Sequence, residues 1–294
     1  MRDSILVTGA ATGLGKETAL YLAEHGFRVY ATVRDLRHAD GLREAADARQ
    51  VGISVLPLDV TDTTSIQHAV QTIVAECGGI YGVVNNAGIG LRGYFEDLAE
   101  EEIRQVFDAN VFGLMAVTRA ALPYMRGARR GRIILISSVG GRIGGLGVSA
   151  YCATKFAVEG FGESLFQEVG PLGVRVVLVE PGIIRTERWT TNRGLAKGAL
   201  SPTSVYRDWF AEVEKGSDAL VRASTATPAD VAALVHRALV AKRPRLRYMV
   251  GRKAKLAVGL KRWMPDRWFE RLYFGMMMRR VTRPAARVNI ATVD

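Results

Sequence analysis

The sequence predicts an α/β fold in which one parallel sheet is covered by helices on both faces. Short β-branched runs alternate with longer segments of helical periodicity, and the runs are apolar throughout. Strands of that kind are buried on both faces, as they are when helices connect parallel strands. Such sheets bind ligands at the carboxyl ends of their strands. Every polar motif described below follows one of these strands.

The predicted elements follow one another in a regular order along the first 180 residues. The six strands are Ser4–Thr8, Phe27–Val33, Ile53–Leu58, Tyr81–Val84, Arg132–Ser137 and Val174–Glu180. The four helices are Leu14–His25, Thr63–Glu76, Glu100–Met125 and Ala150–Val169. Thr227, followed by a proline at the first helical position, predicts the start of a further helix at Pro228–Ala241. Arg245–Val250 is the last predicted strand, at an edge of the sheet.

Residues 187–226 depart from this alternation. The segment has no predicted strand and mixes polar residues with Trp189, Tyr206, Trp209 and Phe210. It predicts a partly helical lid, whose aromatic residues either line an apolar substrate pocket or pack the lid onto the body. Because the sequence has neither an internal repeat nor a low-complexity linker, we expect residues 1–294 to form one domain.

The composition excludes several classes of protein. With 48% hydrophobic residues the chain can bury a sizeable core, which excludes disorder. Its apolar runs are far shorter than the roughly 18 residues needed to span a bilayer. The first strand leads directly into a glycine loop and leaves no room for a secretory signal, so a cytoplasmic location is expected. Cys77 and Cys152 are too few for a disulfide framework, and no metal site is expected.

The formal charge of +11 is concentrated at the C-terminus. From Lys242 onward, 15 lysines and arginines stand against three acidic residues, whereas the body is nearly neutral. Residues 251–294 form a basic tail in which tryptophans and other apolar residues interleave with the cations, and Pro265 divides it into two short helices. The tail either attaches peripherally to an anionic membrane, or its apolar residues cap the substrate pocket or pack against a second subunit. It has no recognisable nucleic-acid motif, and no nucleic-acid partner is expected.

A glycine-rich loop joins the first strand to the first helix. Its glycines permit a sharp turn and let a pyrophosphate approach the positive end of the helix. The first gap is one residue longer than in the usual dinucleotide fingerprint, and a simple tight turn is the alternative. The candidate cofactor-binding residues here are Thr8, Gly9, Thr12, Gly13, Leu14 and Gly15.

The end of the second strand indicates which dinucleotide is bound. An acidic residue there accepts a hydrogen bond from the 2′-hydroxyl of NAD, while an arginine accommodates the 2′-phosphate of NADP. Val33 occupies the discriminating position, Arg34 follows it, and Asp35 lies too late to reach the hydroxyl. This pattern favours NADP(H). The alternative is that Arg34 is a solvated loop residue.

Further polar residues follow the later strands. Tyr151 and Lys155 are four residues apart and so lie on one face of a helix, where taken alone they would be surface decoration. Ser137 and Ser138 close the preceding strand. The motif Asn85-Asn86-Ala87-Gly88 closes the strand before that, and Asn110 lies in the long helix between them.

Taken jointly, these motifs resemble the short-chain dehydrogenase/reductase family over residues 4 to about 186, most of all its hydroxysteroid and retinol dehydrogenase branch. The resemblance implies a doubly wound Rossmann sheet of strand order 3-2-1-4-5-6-7, and a homodimer or homotetramer built on the two longest helices. It also implies further cofactor contacts. These are Asp59 and Val60 beside the adenine, Asn86, Ala87 and Gly88 along the middle of the cofactor, Tyr151 and Lys155, and Pro181, Gly182, Ile184 and Thr186 over the nicotinamide.

The chemistry of the candidate catalytic residues suits carbonyl reduction. Tyr151 is the general acid/base, because the ammonium of Lys155 lowers the high pKa of a tyrosine towards neutrality. Ser138 can hold the substrate oxygen; Ser137 is the weaker candidate, because the thirteen-residue spacing to the tyrosine in related hydroxysteroid dehydrogenases falls on Ser138. By resemblance, Lys155 also reaches the nicotinamide ribose, and Asn110 bends its helix and anchors a water that links Lys155 to solvent. A plain helical asparagine is the alternative for Asn110.

The predicted function is therefore the NADP(H)-dependent interconversion of a ketone or aldehyde and an alcohol. By resemblance, the substrate is a lipophilic small molecule of steroid-, retinoid- or polyketide-like character. The alternative is a catalytically silent family member that senses or binds the cofactor. The presence of Ser138, Tyr151 and Lys155 together argues against that alternative.

Overall fold

The computed structural model describes residues 2–186 and 194–282. Seven parallel strands form one sheet of order β3-β2-β1-β4-β5-β6-β7, as the family resemblance implies. The strands are β1 (Ser4–Val7), β2 (Arg28–Val33), β3 (Ile53–Pro57), β4 (Gly82–Asn85), β5 (Gly131–Ile136), β6 (Val174–Pro181) and β7 (Arg247–Val250). The predicted strands are therefore confirmed, with boundaries that differ by one or two residues.

Helices connect these strands and cover both faces of the sheet. Those before residue 187 are α1 (Gly13–Glu24), α2 (Asp40–Ala48), α3 (Thr63–Cys77), α4 (Glu100–Phe107), α5 (Gly113–Gly127) and α6 (Ser149–Val169). Those after residue 193 are α7 (Arg207–Arg222), α8 (Pro228–Val240), α9 (Arg252–Trp263), α10 (Asp266–Phe269) and α11 (Gly275–Val281).

The apolar strands fill two cores, one on each face. Because alternate side chains of a strand point to opposite faces, Ile5 and Val7 pack with α1, α2 and α8, while Leu6 packs with α3, α5 and α6. All three side chains are fully buried. A sheet covered in this way leaves only its strand ends open, and these carry the polar motifs.

Two helical segments differ from the prediction. Helix α2 is an addition to the predicted elements: it is only nine residues long, and only Leu42 and Ala46 on it are buried. The helix predicted over residues 100–125 consists of α4 and α5, separated by a π-helical turn at Asp108–Phe112. Such turns contain one extra residue and commonly occur at functional sites. Asn110 lies in this one.

The segment after residue 193 folds over the carboxyl ends of the strands. Arg92, which follows β4, exchanges backbone hydrogen bonds with Gly194 and Ala196. Its guanidinium lies 2.5 Å from the carboxylate of Glu214 on α7, and both side chains are largely buried. Helix α7 is thus attached to the loop after β4. Trp189 falls outside the described residues.

The basic tail continues from the edge strand β7 as a chain of short helices. Met264 and Pro265 separate α9 from α10, and a π-helical turn at Glu270–Phe274 joins α10 to α11. No helix in the described part of the chain is long and apolar enough to cross a membrane. The tail's cations Arg283 and Arg287 fall outside that part.

The N-terminus of α8 supports a stability prediction. Thr227 Oγ1 accepts a hydrogen bond from Asp230 N (3.3 Å), and Asp230 Oδ2 accepts one from Thr227 N (2.8 Å), so the predicted cap is a reciprocal capping box. We expect Thr227→Ala to lower the free energy of unfolding by about 1 kcal/mol, and Thr227→Ser to retain most of it. Urea unfolding followed by circular dichroism measures both.

Thr72→Ala is the matched control, because Thr72 lies inside α3 and only donates back to the His68 carbonyl. Its removal should change the free energy of unfolding by less than about 0.5 kcal/mol. Equal losses at the two positions would show that the cap contributes nothing specific.

Candidate functional site

The glycine loop leaves no room for side chains at the start of α1. Gly9 and Gly13 have φ angles of +66° and +57°, which side-chain-bearing residues rarely adopt. A Cβ on Gly15 would lie 2.2 Å from the Gly9 carbonyl oxygen and 2.4 Å from Asn86 Nδ2. The loop therefore closes tightly over the first turn of α1, where backbone N–H groups and the helix dipole favour a phosphate.

The ends of β1 and β4 are joined by side-chain hydrogen bonds. Thr8 Oγ1 accepts from the backbone nitrogens of Asn86 and Ala87, both at 3.0 Å. Asn86 Nδ2 donates in return to the carbonyls of Thr8 and Gly9, again at 3.0 Å. Thr8 is buried, and Asn86 is partly buried. These groups order the floor of the site, and the Asn86 amide is already committed to the protein backbone.

Asn110 connects the loop after β4 to helix α6. Its Oδ1 accepts from Ile89 N (2.7 Å), and its Nδ2 donates to Ile89 O (2.9 Å) and to Thr154 Oγ1 (3.2 Å). A Cβ on Gly88 would lie 2.6 Å from Asn110 Oδ1, so the glycine of the Asn-Asn-Ala-Gly motif is required by this contact. Asn110 is fully buried and is not a plain surface asparagine of a helix.

The structure brings Ser138, Tyr151 and Lys155 together beside β5. Lys155 is buried, and its Nζ donates to the Ile136 carbonyl at 2.9 Å and lies 5.8 Å from the centre of the Tyr151 ring. Ser138 Oγ accepts from Gly140 N at 3.0 Å. A Cβ on Gly140 would lie 3.4 Å from Ser138 Oγ and 3.5 Å from Tyr151 Cε1, which places this glycine between the two side chains.

Ser137 differs from its neighbour in position. It is fully buried behind the loop, where a Cβ on Gly141 would lie 2.9 Å from its Oγ. Ser138 is only partly buried and lies beside the Tyr151 ring. Of the two serines, Ser138 is the more accessible, and Gly140 lies beside both its hydroxyl and the Tyr151 ring.

The end of β2 offers arginines and no available carboxylate. Val33 is buried, and Arg34 is exposed. The carboxylate of Asp35 accepts from the backbone nitrogen of Arg37 (2.9 Å) and from its guanidinium. These bonds lower the pKa of Asp35 to about 2, so its carboxylate is ionised and already accepts hydrogen bonds from Arg37. The negative charge that would repel a 2′-phosphate is thus neutralised by Arg37.

A cavity of about 600 Å³ opens at the start of α1. Its walls carry three cationic side chains, Lys16, Arg185 and Arg222, against the single carboxylate of Glu17. The other lining residues are Gly13, Thr186, Val221 and Pro228. Sequence reasoning missed Lys16 and Arg222, whereas Arg185 lies in the segment 181–186 that was expected over the nicotinamide. Arg222 belongs to α7, so its approach depends on the fold. Together with the glycine loop, the three cations fit the pyrophosphate of a dinucleotide.

The remaining predicted cofactor residues of the segment 181–186 differ in burial and contacts. Ile184 is buried in the core. Gly182 donates its N–H to the Val250 carbonyl (2.9 Å), and a Cβ on it would lie 2.8 Å from the Cβ of Ala254 on α9. Pro181 is buried, and Thr186 lines the cavity.

Asp59 and Val60 lie just after the end of β3. Asp59 Oδ1 accepts from the backbone nitrogen and the hydroxyl of Thr61 (2.9 and 2.7 Å). A Cβ on Gly113 would lie 2.7 Å from the Val60 carbonyl, so α5 packs directly against this loop. Thr12 is the exposed N-cap of α1, and Leu14 packs partly onto the core.

A second cavity, of about 390 Å³ and almost wholly apolar, lies between the loop after Ser138 and the tail. The loop and α6 contribute Gly144, Gly145, Leu146, Ser149 and Cys152, and the tail contributes Phe274, Met277 and Met278. Cys152 is the neighbour of Tyr151, and burial raises the pKa of its thiol. This cavity is suited to an apolar ligand, and residues of α11 and the preceding turn form part of its wall.

A buried ion network supports the loop that carries Ser138. Glu180, at the end of β6, is buried and pairs with Arg142 of that loop (2.8 Å) and with Arg247 of β7 (3.4 Å). Arg247 also pairs with Glu159, one turn beyond Lys155 (2.9 Å). Burial and the nearby Glu159 raise the pKa of Glu180. Sequence periodicity gave no signal for these residues, because their partners lie on separate elements.

No group of three or more His, Cys, Asp or Glu side chains that could hold a metal ion occurs among residues 2–186 and 194–282. Around the glycine loop, Asn110 and Ser138 the structure brings together hydroxyls, amides and the ammonium of Lys155, and the cavity at the start of α1 adds three cations. Their arrangement therefore fits an organic anion such as a dinucleotide.

Comparison with known proteins agrees with this geometry. The family model described as short chain dehydrogenase matches residues 3–194. The 3-ketodihydrosphingosine reductase of Bacteroides thetaiotaomicron is 37% identical over 264 residues, 89% of this chain and 93% of that one. Human 17-beta-hydroxysteroid dehydrogenase type 1 is 35% identical over 254 residues, 84% of this chain and 77% of that one.

A solved structure extends the likeness to three dimensions. The crystal structure of a short-chain dehydrogenase from Streptomyces avermitilis superposes with a TM-score of 0.77 at 34% identity, covering 95% of this chain and 98% of that one. The chain therefore belongs to the short-chain dehydrogenase/reductase family of oxidoreductases, in the branch that contains the hydroxysteroid and retinol dehydrogenases.

Proposed function

We propose that the protein catalyses the NADP(H)-dependent interconversion of a lipophilic ketone or aldehyde and its alcohol. The observation that carries this proposal is the placement of the Tyr151 ring, 5.8 Å from Lys155 Nζ and beside the loop that follows Ser138. The cationic cavity would hold the dinucleotide, and the apolar cavity would hold the body of the substrate.

Each side chain has a distinct task in this proposal. The bound cofactor supplies or accepts the hydride at the substrate carbon. In reduction, Tyr151 donates its hydroxyl proton to the substrate oxygen, and Ser138 holds that oxygen by a hydrogen bond. Lys155 stabilises the resulting phenolate, because its ammonium is buried and fixed on the Ile136 carbonyl. Asn110 is a positioning residue, since its bonds tie α6 to the loop after β4.

The preference for NADP(H) rests on the end of β2. The buried Val33 offers no acceptor for a ribose 2′-hydroxyl, and Arg34 is exposed beside it. Asp35, the nearest carboxylate along the chain, is bound by Arg37. A 2′-phosphate would therefore meet a cationic loop.

The lipophilic substrate class rests on the apolar cavity. Apart from the Ser149 hydroxyl, the side chains on its walls are those of Leu146, Cys152, Phe274, Met277 and Met278. Two relatives are named for a ketosphingoid and for a hydroxysteroid, which are a ketone and an alcohol with large apolar bodies. A cavity of this kind binds such bodies through buried apolar area.

We further propose a homodimer that uses α5 and α6, as the family resemblance implies. Phe112, at the end of the π-helical turn, is 60% exposed, and Phe156 on α6 is 43% exposed. Large aromatic side chains gain free energy when a partner surface covers them. Two such residues next to the catalytic helix are suitable anchors for an isologous contact.

The first test is activity. Purified protein should oxidise NADPH in the presence of steroid, retinoid or long-chain ketones and aldehydes. Tyr151→Phe should reduce kcat by at least about 100-fold with little change in NADPH affinity, because the lost hydroxyl contacts only the reacting oxygen. Lys155→Ala should impair both kcat and cofactor binding. More than a few per cent of activity in the Phe variant would refute the assignment of Tyr151.

The second test is cofactor preference. The wild type should show a higher kcat/KM with NADPH than with NADH. Val33→Asp combined with Arg34→Ala should reverse that order, because the new carboxylate repels the 2′-phosphate and accepts from the 2′-hydroxyl. Arg43→Ala, a change of another exposed arginine on α2, is the control and should leave the ratio unchanged. Equal efficiency of the wild type with both cofactors would contradict this proposal.

The third test is assembly. Sedimentation at micromolar concentration should give a dimer or tetramer for the wild type. Phe112→Ser should weaken the assembly by about tenfold or more, because each change occurs twice in an isologous interface. Phe95→Ser, which replaces a phenylalanine that is 68% exposed after β4, should not. A monomeric wild type would refute the proposal.

A further inference from the structure

The outer side of the tail exposes an unusual set of large apolar side chains. We define the tail surface as Leu256, Leu260, Trp263, Trp268, Leu272 and Met276, all exposed. Trp263 is 84% and Leu256 is 73% exposed, values that are costly for a face that only meets water. Leu256, Leu260 and Trp263 lie on one face of α9 by their spacing, and Trp268, Leu272 and Met276 follow one another at intervals of four residues. Exposed apolar residues in such number commonly mark an interaction site.

Cations surround these apolar residues. Eight lysines and arginines lie between Arg252 and Arg279, against only Asp266 and Glu270. All except Lys261 are exposed, and no carboxylate of the described residues forms an ion pair with any of them. Lys261 instead donates to the Arg142 carbonyl at 2.8 Å, which fixes α9 onto the Ser138 loop. The tail surface thus combines unpaired positive charge with exposed aliphatic and indole groups.

The charge argues against a second copy as the occupant. An isologous contact would bring the eight cations of one tail against the eight of another, without carboxylates to pair them. A nucleic acid would satisfy the cations but would leave Leu256, Leu260, Leu272 and Met276 without apolar partners. An anionic bilayer satisfies both parts, because phosphates meet the cations and the acyl boundary receives the apolar groups.

We propose that the tail surface binds the protein peripherally to anionic lipid bilayers. The helices lie in the interface, since none of those described is long enough to cross it. The inner side of the same tail, through Phe274, Met277 and Met278, forms a wall of the apolar cavity. This last step alone rests on the proposed function: a lipophilic substrate would pass between the bilayer and that cavity without crossing water.

Flotation of the purified full-length protein with lipid vesicles tests the binding directly, without any assay of activity. The vesicles contain phosphatidylcholine alone or an equimolar mixture with phosphatidylglycerol. At about 0.01 M salt, where the Debye length is about 30 Å, the protein should float with the anionic vesicles only. At about 1 M salt, where that length is about 3 Å, binding should fall steeply.

Two double variants separate the apolar from the electrostatic part. Arg267→Ser with Arg271→Ser should lower the partition coefficient about 25-fold at low salt, because each cation near the surface contributes about fivefold. Trp263→Ser with Trp268→Ser should lower it about tenfold or more at both salt concentrations, because buried apolar area is insensitive to screening. All four residues are exposed, so the fold should persist, which circular dichroism checks.

The matched control for charge is Lys242→Ser with Arg243→Ser. These exposed cations precede β7, at the opposite end of that strand from the tail, and their loss removes the same charge. Phe95→Ser is the control for an exposed aromatic residue. Neither control should change the partition coefficient by more than about twofold.

Several outcomes would overturn the proposal. They are no flotation at low salt, equal flotation with neutral vesicles, equal effects of the tail and control variants, and a fall in oligomer mass on tryptophan replacement without lipid binding. The last would assign the tail surface to a subunit contact. Salt-sensitive binding to a DNA duplex in the absence of vesicle binding would also overturn it. None of these results depends on whether the enzyme reduces a carbonyl.

Discussion

The site depends on one close approach, between the loop after β1 and the loop after β4. These strands are adjacent in the sheet, yet the chain leaves β1 towards β2 and returns to β4 only after β3. Hydrogen bonds between Thr8 and Asn86 hold the two loops together, and the absence of a side chain at Gly15 allows it. Such a strand switch opens a crevice at the sheet edge, where a ligand can bind.

The catalytic candidates are held relative to this crevice through a short series of contacts. From the loop after β4, Ile89 bonds to Asn110, and Asn110 bonds to Thr154, which lies next to Lys155 on α6. Lys155 in turn bonds to the backbone at the end of β5. Buried amides and ammonium groups of this kind have few alternative partners, so the arrangement is rigid before any ligand binds. The fold therefore fixes the position of Lys155 relative to the loops after β4 and β5.

Sequence reasoning identified those parts of the molecule that depend on local pattern. The apolar strands, the glycine loop, the spacing of Tyr151 from Lys155 and the cap at Thr227 each have a signature within a few residues. Contacts between distant segments have none. Arg222 reaches the cationic cavity only because α7 packs there, and Glu180 meets Arg142 only because a loop folds over β6. The sequence left two interpretations of the tail open for the same reason. Some of its apolar residues line the apolar cavity, and others are exposed.

The π-helical turn at Asp108–Phe112 also limits the deletions that the chain can tolerate. A π turn holds one residue more than a regular helix would use over the same rise. Deleting a residue there would restore the regular helix and rotate one side of it by about 100° relative to the other. The side chain of Asn110 would then lose its two hydrogen bonds to the backbone of Ile89. The number of residues in this turn is therefore fixed by the contacts of Asn110.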